Sequence, residues 1–312
     1  MLESMKADRA LLLDSEPQIL DRERSPSALS TERALAQERL DAYKYPVLTI
    51  PNEITSEIFI RFLPIYPDAP PLTGPESPTT LTHVCRQWRE VALATPALWR
   101  AMRLDYKPRT QGYTPMKAYA PIQYLSDAWI RRSGSCPLSI EIHDCRDVTL
   151  LDVLTETMAM AAARFEHLVL WIPSHSLPKI GRMPLLRSLS FWARDGSKAF
   201  ASHTPQLRTV SLFGGVVPNI ALPWAQLTCL TLDCIGIKSC VSILRKTKNL
   251  IRCDLRFSFR WGESVSFSGP DLVLPRLNVL ILKDSRLAVD SFLTALVVPR
   301  SPQARLEGDI PW

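Results

Sequence analysis

Cys136, His143 and Cys145, with Asp144 and Asp147 beside them, form the densest group of chemically competent side chains in this 312-residue sequence. Zinc needs a convergent set of ligands, usually four, and no fourth accompanies these three. The same His and Asp residues are suited to proton transfer, but a short polar cluster of this kind is also what a hydrated turn contains. The other histidines, His83, His167, His175 and His203, are scattered without ligand spacing. There is no GxSxG elbow, GxxxxGKS/T phosphate loop, GxGxxG fingerprint or HExxH helix. The seven cysteines are odd in number and lack CxxC pairs, so they read as reduced thiols. These residues predict a protein that is not an enzyme, with no catalytic residue, no metal and no cofactor.

Binding is the remaining kind of chemistry. The net charge of +6 is uneven: residues 1–42 carry −3, whereas residues 164–312 carry +9. That excess favours an acidic partner surface. Arg245, Lys246, Lys248, Arg252, Arg256 and Arg260 lack the interleaved aromatics of a nucleic-acid platform, so they read as a solvated basic face. No apolar run approaches the ~20 residues that span a bilayer, and no basic-then-apolar leader opens the chain, so membrane attachment is not expected. The expected location is cytoplasmic or nuclear. With 46% hydrophobic and 22% charged residues, most of the chain is able to bury a core.

The elements that must position these residues change along the chain. Residues 1–42 form a charged segment, partly disordered, with a short helix from Ser27 ending before Pro46. In residues 43–104, Ile54, Ile58 and Phe62 lie four apart on one helical face after Pro51. Six prolines between Pro64 and Pro78 predict an exposed, irregular insertion. A further helix carries the stripe Leu81, Val84, Cys85, Trp88 and Val91 and closes at Thr95-Pro96, leaving Leu98 and Trp99 as an anchor. Residues 105–137 form a linker with a helix around Ile122, Leu125 and Trp129, stopped by Gly134. Leu138, Ile140 and Ile142 alternate as in a strand, and Leu150, Leu151, Leu154 and Met158 mark another helix.

The run Leu48, Ile50-Pro51, Glu53-Ile54, Ile58-Phe59, then Val84-Cys85-Arg86-x-Trp88 and Thr95-Pro96-x-Leu98-Trp99 resembles an F-box of the fungal F-box-like class. The resemblance covers about 60 residues and keeps order and spacing across several helices. It implies that Leu48, Pro51, Ile54, Ile58 and Trp88 dock the Skp-type adaptor subunit of a cullin-RING ubiquitin ligase.

Residues 138–298 contain the pattern apolar-x-x-apolar-x-apolar. It occurs at Phe165-Leu168-Leu170, Leu186-Leu189-Phe191, Leu207-Val210-Leu212, Leu227-Leu230-Leu232, Leu250-Cys253-Leu255 and Leu277-Leu280-Leu282. Leucine fills 14 of these 18 positions against 44 of 312 overall, which excludes chance. Starts separated by 20 to 27 residues resemble leucine-rich repeats. The expected fold is an α/β repeat: a small helical F-box-like domain, then an irregular leucine-rich-repeat arc with parallel strands inside and helices or loops outside. Return helices are expected at Ser239–Lys246 and Asp290–Val297, and residues 299–312 are expected to form a tail.

The sixth residue after each repeat start should close the strand on the concave wall. These residues are Trp171, Trp192, Phe213, Asp233, Arg256 and Lys283. With Arg252 and Asp254 they compose an aromatic end and a charged end, the expected contact for a protein substrate. The expected function is substrate recognition within a Skp-cullin-F-box type ligase, with the cullin reached through the adaptor. The alternative is a non-catalytic interaction scaffold whose F-box-like segment acts outside a ligase.

Overall fold

The computed structural model describes residues 3, 5–11, 26–42, 46–105, 120–143, 154, 158–171, 181–192, 203–214, 222–257, 272–283, 292–293, 296–297 and 303–307. The chain divides into two compact units, Met1–Thr55 and Ser56–Trp312. In the first, helix α1 (Pro26–Ala42) opens at a proline and is charged on most sides. Ala36 is its buried point, and Arg39 pairs with Asp8 at 3.1 Å. A 3-10 turn (Pro46–Thr49) leads to Pro51, whose carbonyl accepts from both the amide and the hydroxyl of Thr55 as helix α2 (Asn52–Phe62) begins.

The second unit is α/β, built on one parallel sheet. Its nine strands are β1 (Ala101–Asp105), β2 (Leu138–His143), β3 (Phe165–Leu170), β4 (Ser188–Trp192), β5 (Thr209–Phe213), β6 (Cys229–Ile235), β7 (Arg252–Phe257), β9 (Val279–Lys283) and β11 (Gln303–Glu307). Strand β8 (Leu272–Val273) instead pairs with β10 (Leu296–Val297) in a separate two-stranded parallel ladder. The large sheet keeps strict chain order, so each strand stacks on the one before it. This is what a repeat of roughly one strand per 20 to 27 residues produces when consecutive units bury their apolar positions on each other.

The pairing register turns the sequence repeat into columns. Met102, Ile140, Leu168, Leu189, Val210, Leu230, Cys253 and Leu280 are neighbours in series, as are Leu104, Ile142, Leu170, Phe191, Leu212, Leu232, Leu255 and Leu282. All sixteen side chains are buried, and alternation places the residues between them on the opposite face. A third buried column lies at or just before the strand starts: Phe165, Leu186, Leu207, Leu227, Leu250 and Leu277. Each of these residues donates its amide to the carbonyl three residues back, at Ala162, Met183, Thr204, Trp224, Thr247 and Leu274. Pro184, Pro205 and Pro275 occupy the second position of three of these turns, where their fixed φ fits. The turn residues Ala162, Met183, Thr204, Trp224, Thr247 and Leu274 are themselves buried, extending the repeat three residues upstream of the sequence pattern.

Several expectations are corrected. The proline-rich insertion is exposed only in part: Pro64, Ile65, Pro67, Asp68 and residues 73–76 are exposed, but Ala69, Leu72 and Ser77 are buried. Its backbone pairs with β1, with Arg103 N–H donating to Pro70 at 2.8 Å and Leu72 N–H to Arg103 at 3.1 Å, so prolines that lack donors serve as an edge. The stripe from Leu81 to Val91 is two elements. A 3-10 turn (Pro78–His83) ends before Cys85, whose Sγ accepts from Trp88 N–H at 3.4 Å and caps helix α3 (Arg86–Leu93), leaving Val84 exposed. Residues Leu296 and Val297 are a strand, not a helix end, and the expected tail contributes β11. Leu150 and Leu151 lie outside the described residues; Leu154 and Met158 are buried.

Helix α4 (Ala120–Arg132) stops where Gly134 takes φ 55°, as its sequence predicts. It is pinned through Trp129, edge-on to Trp99 at 5.2 Å, while Trp99 Nε1–H donates to Ala92 O at 2.9 Å. Arg164 donates to the carbonyls of Cys136 and Ile130 and to Ser133 Oγ, tying the helix end to the entry of β3. Helix α5 (Ile237–Leu244) begins two residues before the expected return helix and buries Cys240, Val241, Ile243 and Leu244.

Candidate protein-binding face

The open face of the sheet carries three columns. The first runs His167, Ser188, Thr209, Cys229, Arg252 and Val279 from β3 to β9. The second runs Val169, Ser190, Ser211, Thr231, Asp254 and Ile281 in the same register. The third closes the strands with Trp192, Phe213, Asp233, Arg256 and Lys283, and Trp171 continues it on the β3 side through its amide bond to Ile142 O at 2.8 Å. The predicted division into an aromatic end and a charged end is therefore a physical adjacency.

Within the aromatic end, the Trp171 ring lies 4.9 Å from His143 and 6.0 Å from Phe213, both tilted. Trp171 is 41% exposed, while Trp192 and Phe213 are half-buried. The charged end is mostly self-compensated: Asp233 meets Arg256 at 3.5 Å and Asp254 meets Lys283 at 3.4 Å. Arg252 is exposed on β7 and has no carboxylate partner among the described residues. Between the two ends lie short side chains: Ser188, Ser190, Thr209, Ser211 and Thr231, all half-buried.

His167, at the corner of this face, is covered. Tyr66 of the proline-rich segment stacks edge-on to it at 5.4 Å, and Arg100 lies 4.0 Å over the Tyr66 ring. Tyr66 Oη–H donates to Glu166 Oε2 at 2.9 Å, and Arg187 pairs with the other oxygen of the same carboxylate at 3.2 Å. Burial, followed by the bond to Glu166, pushes the Tyr66 phenol above its ordinary range. Burial also lowers His167, only partly offset by Glu166. This corner was not legible because it joins residues 100 apart in sequence.

The residues expected to dock an adaptor fall into different surroundings. Leu48 lies in the 3-10 turn Pro46–Thr49, and Pro51 is exposed. Ile54, in the first unit, is 52% exposed. Ile58 and Phe62, one turn apart in the second unit, are 51% and 45% exposed, while Phe59, on the flank of the same turn, is buried. Trp88 is half-buried against Phe59, with ring centroids 4.9 Å apart, so its ring packs internally.

Among the described residues no three His, Cys, Asp or Glu side chains converge as a metal site, and Cys145 lies outside them. His143 Nε2 meets Glu141 Oε2 at 3.2 Å. Among the described residues no helix is long and apolar enough to cross a membrane. No protein-family model matches the sequence, and no curated protein matches it either.

Proposed function

We propose that this chain is the substrate-recognition subunit of a Skp-cullin-F-box type ubiquitin ligase, with the F-box-like segment docking the adaptor and the open sheet face binding a protein substrate. Catalysis then comes from proximity, since holding a substrate beside a ubiquitin-loaded enzyme raises the effective concentration of its lysines. The observation that supports the reading best is the exposure of Ile58 and Phe62 one turn apart, while Phe59 on their flank is buried. Large aliphatic and aromatic side chains held in water on one helical face are what an interface buries, at about 1.5 to 3 kcal/mol each. The sheet supplies the second half: six strands at ~4.8 Å spacing give a floor ~24 Å long, less than a standard interface needs, so residues bordering it take part.

The test is co-purification of the full chain with a Skp-type adaptor, using Ile58→Asp and Phe62→Asp. Both side chains are exposed, so folding is retained while the complex is lost. Adaptor binding that is unaffected by both substitutions sinks the docking assignment. Trp88, being occupied with Phe59, favours a second reading, an interaction scaffold outside a ligase. That reading predicts partner binding through the sheet with no cullin in the isolated assembly.

A further inference from the structure

The geometry points to an extended acidic peptide as the occupant of the open face: a segment carrying an aromatic or bulky aliphatic side chain about five residues from an Asp or Glu. This deepens the proposed function and rests on its assignment of the open face to substrate binding.

Three features of β4 to β7 define the peptide. Ser188, Ser190, Thr209, Ser211 and Thr231 form a recessed floor whose hydroxyls have no side-chain hydrogen bond to the protein among the described residues. Donors and acceptors presented this way suit a polar main chain lying across the strands. Trp171 and Phe213, packed on each other with ring centroids 6.0 Å apart, stand at one border of the floor and offer an apolar surface against which a single large apolar side chain can pack. At the opposite border, charge decides. Asp233 and Asp254 are engaged with Arg256 and Lys283, so among the described residues the group left uncompensated at this border is the exposed guanidinium of Arg252. Guanidinium recognises a carboxylate through paired N–H donors, which sets the sign of the partner.

Register fixes the distance. From Phe213 on β5 to Arg252 on β7 is two strand steps, and four residue positions separate them along the strand. At ~4.8 Å per strand and ~3.3 Å per residue the diagonal is ~16 Å, or about five residues of extended chain. A peptide with its apolar and acidic residues adjacent spans only one border.

The experiment selects a phage-displayed random dodecapeptide library on the full chain. The expected result is enrichment of peptides with an aromatic or aliphatic residue four to six positions from Asp or Glu. Arg252→Ala should remove the acidic preference, at least about tenfold in enrichment, while keeping the apolar one; Trp171→Ala with Phe213→Ala should do the reverse. Urea denaturation midpoints near that of the parent chain verify that these variants are folded. Peptides that depend on Trp171 and Phe213 but show no acidic preference, or one indifferent to Arg252, overturn the inference and leave the open face as the binding surface. Selected peptides indifferent to every one of these substitutions, or no enrichment, overturn both. Selection of basic peptides overturns the charge assignment outright.

Discussion

On the buried face of the sheet, the column Leu168, Leu189, Val210, Leu230, Cys253 and Leu280 repeats nearly one kind of side chain six times. On the open face, the column Trp192, Phe213, Asp233, Arg256 and Lys283 passes from aromatic to acidic to basic within the same sheet. The same backbone ladder carries both. Where a position must fill a shared core, packing accepts only a narrow range of volumes and no unpaired polar atom. Where it faces solvent, packing sets no such limit, and variation there can encode a partner. Repetition thus marks the scaffold, and its absence marks the surface free to select.

The largest effect that can break this contrast comes from replacing adjacent residues of one central strand. Leu212 is 1% exposed, so Leu212→Ala should cost about 2 to 5 kcal/mol through lost burial and a residual cavity. Its neighbour Ser211, on the open face, should tolerate Ala within about 0.5 kcal/mol. Urea denaturation of the two variants measures the difference, and equal costs would mean the faces are not distinguished by packing.

This contrast also explains which parts of the fold were legible. Leucines at a fixed period declare their strands and register, because every unit solves the same burial problem. Strand β1 follows the same rule through Trp99, Met102 and Leu104, but Trp99 ends the resemblance to an F-box and so hid the repeat it begins. Strand β11 carries Ala304 where earlier strands carry a large apolar residue, so no pattern announced it. The buried turn column was missed because Thr204 and Thr247 interrupt its apolar character. The aromatic and charged ends were legible once the register was known, since alternation alone places Trp171, Phe213 and Asp233 on one face. Their partners, such as Tyr66 with Glu166, were not, because tertiary contacts over that separation leave no local period.

A second test concerns the junction before the repeats. Arg164 donates to two carbonyls and one hydroxyl at the end of α4, and burial lowers its pKa without removing its charge at neutral pH. Arg164→Met keeps the apolar stem and strips the donors. The expected cost is about 1.5 to 3 kcal/mol, the range for hydrogen bonds from a charged group whose partners stay behind. A loss no greater than that of an exposed arginine such as Arg276→Met would assign the junction to apolar packing alone.

Smaller again is the covered corner of the otherwise open face. Tyr66→Phe should cost about 1 to 1.5 kcal/mol by removing the donor to Glu166. Its pH dependence is distinctive. The folded state raises the phenol, so its contribution is complete below the ordinary value near 10 and is lost as pH rises toward the higher folded value. His167 acts with the opposite sign: lowered in the folded state, it contributes fully above about 6.5, and stability falls as pH drops through that value toward the folded one. His167→Gln should flatten the acid limb, and Tyr66→Phe the alkaline one. Unchanged limbs in the two variants would show that the corner is solvated like the rest of the face.

The smallest change in stability should come from the charged end, and there the contrast between faces is sharpest. Asp233 and Arg256 lie 3.5 Å apart, with the arginine half exposed, so solvent screens most of their attraction. Asp233→Asn should move the denaturation midpoint by less than about 0.5 kcal/mol equivalent. The same substitution releases Arg256, four positions along β7 from Arg252, and adds a second uncompensated guanidinium to the strand proposed to read acidic residues. Peptide affinity should therefore rise, with steeper salt dependence, while stability stays fixed. A face whose binding and stability respond together would be serving as scaffold; one whose binding moves alone has been left free by the leucines behind it.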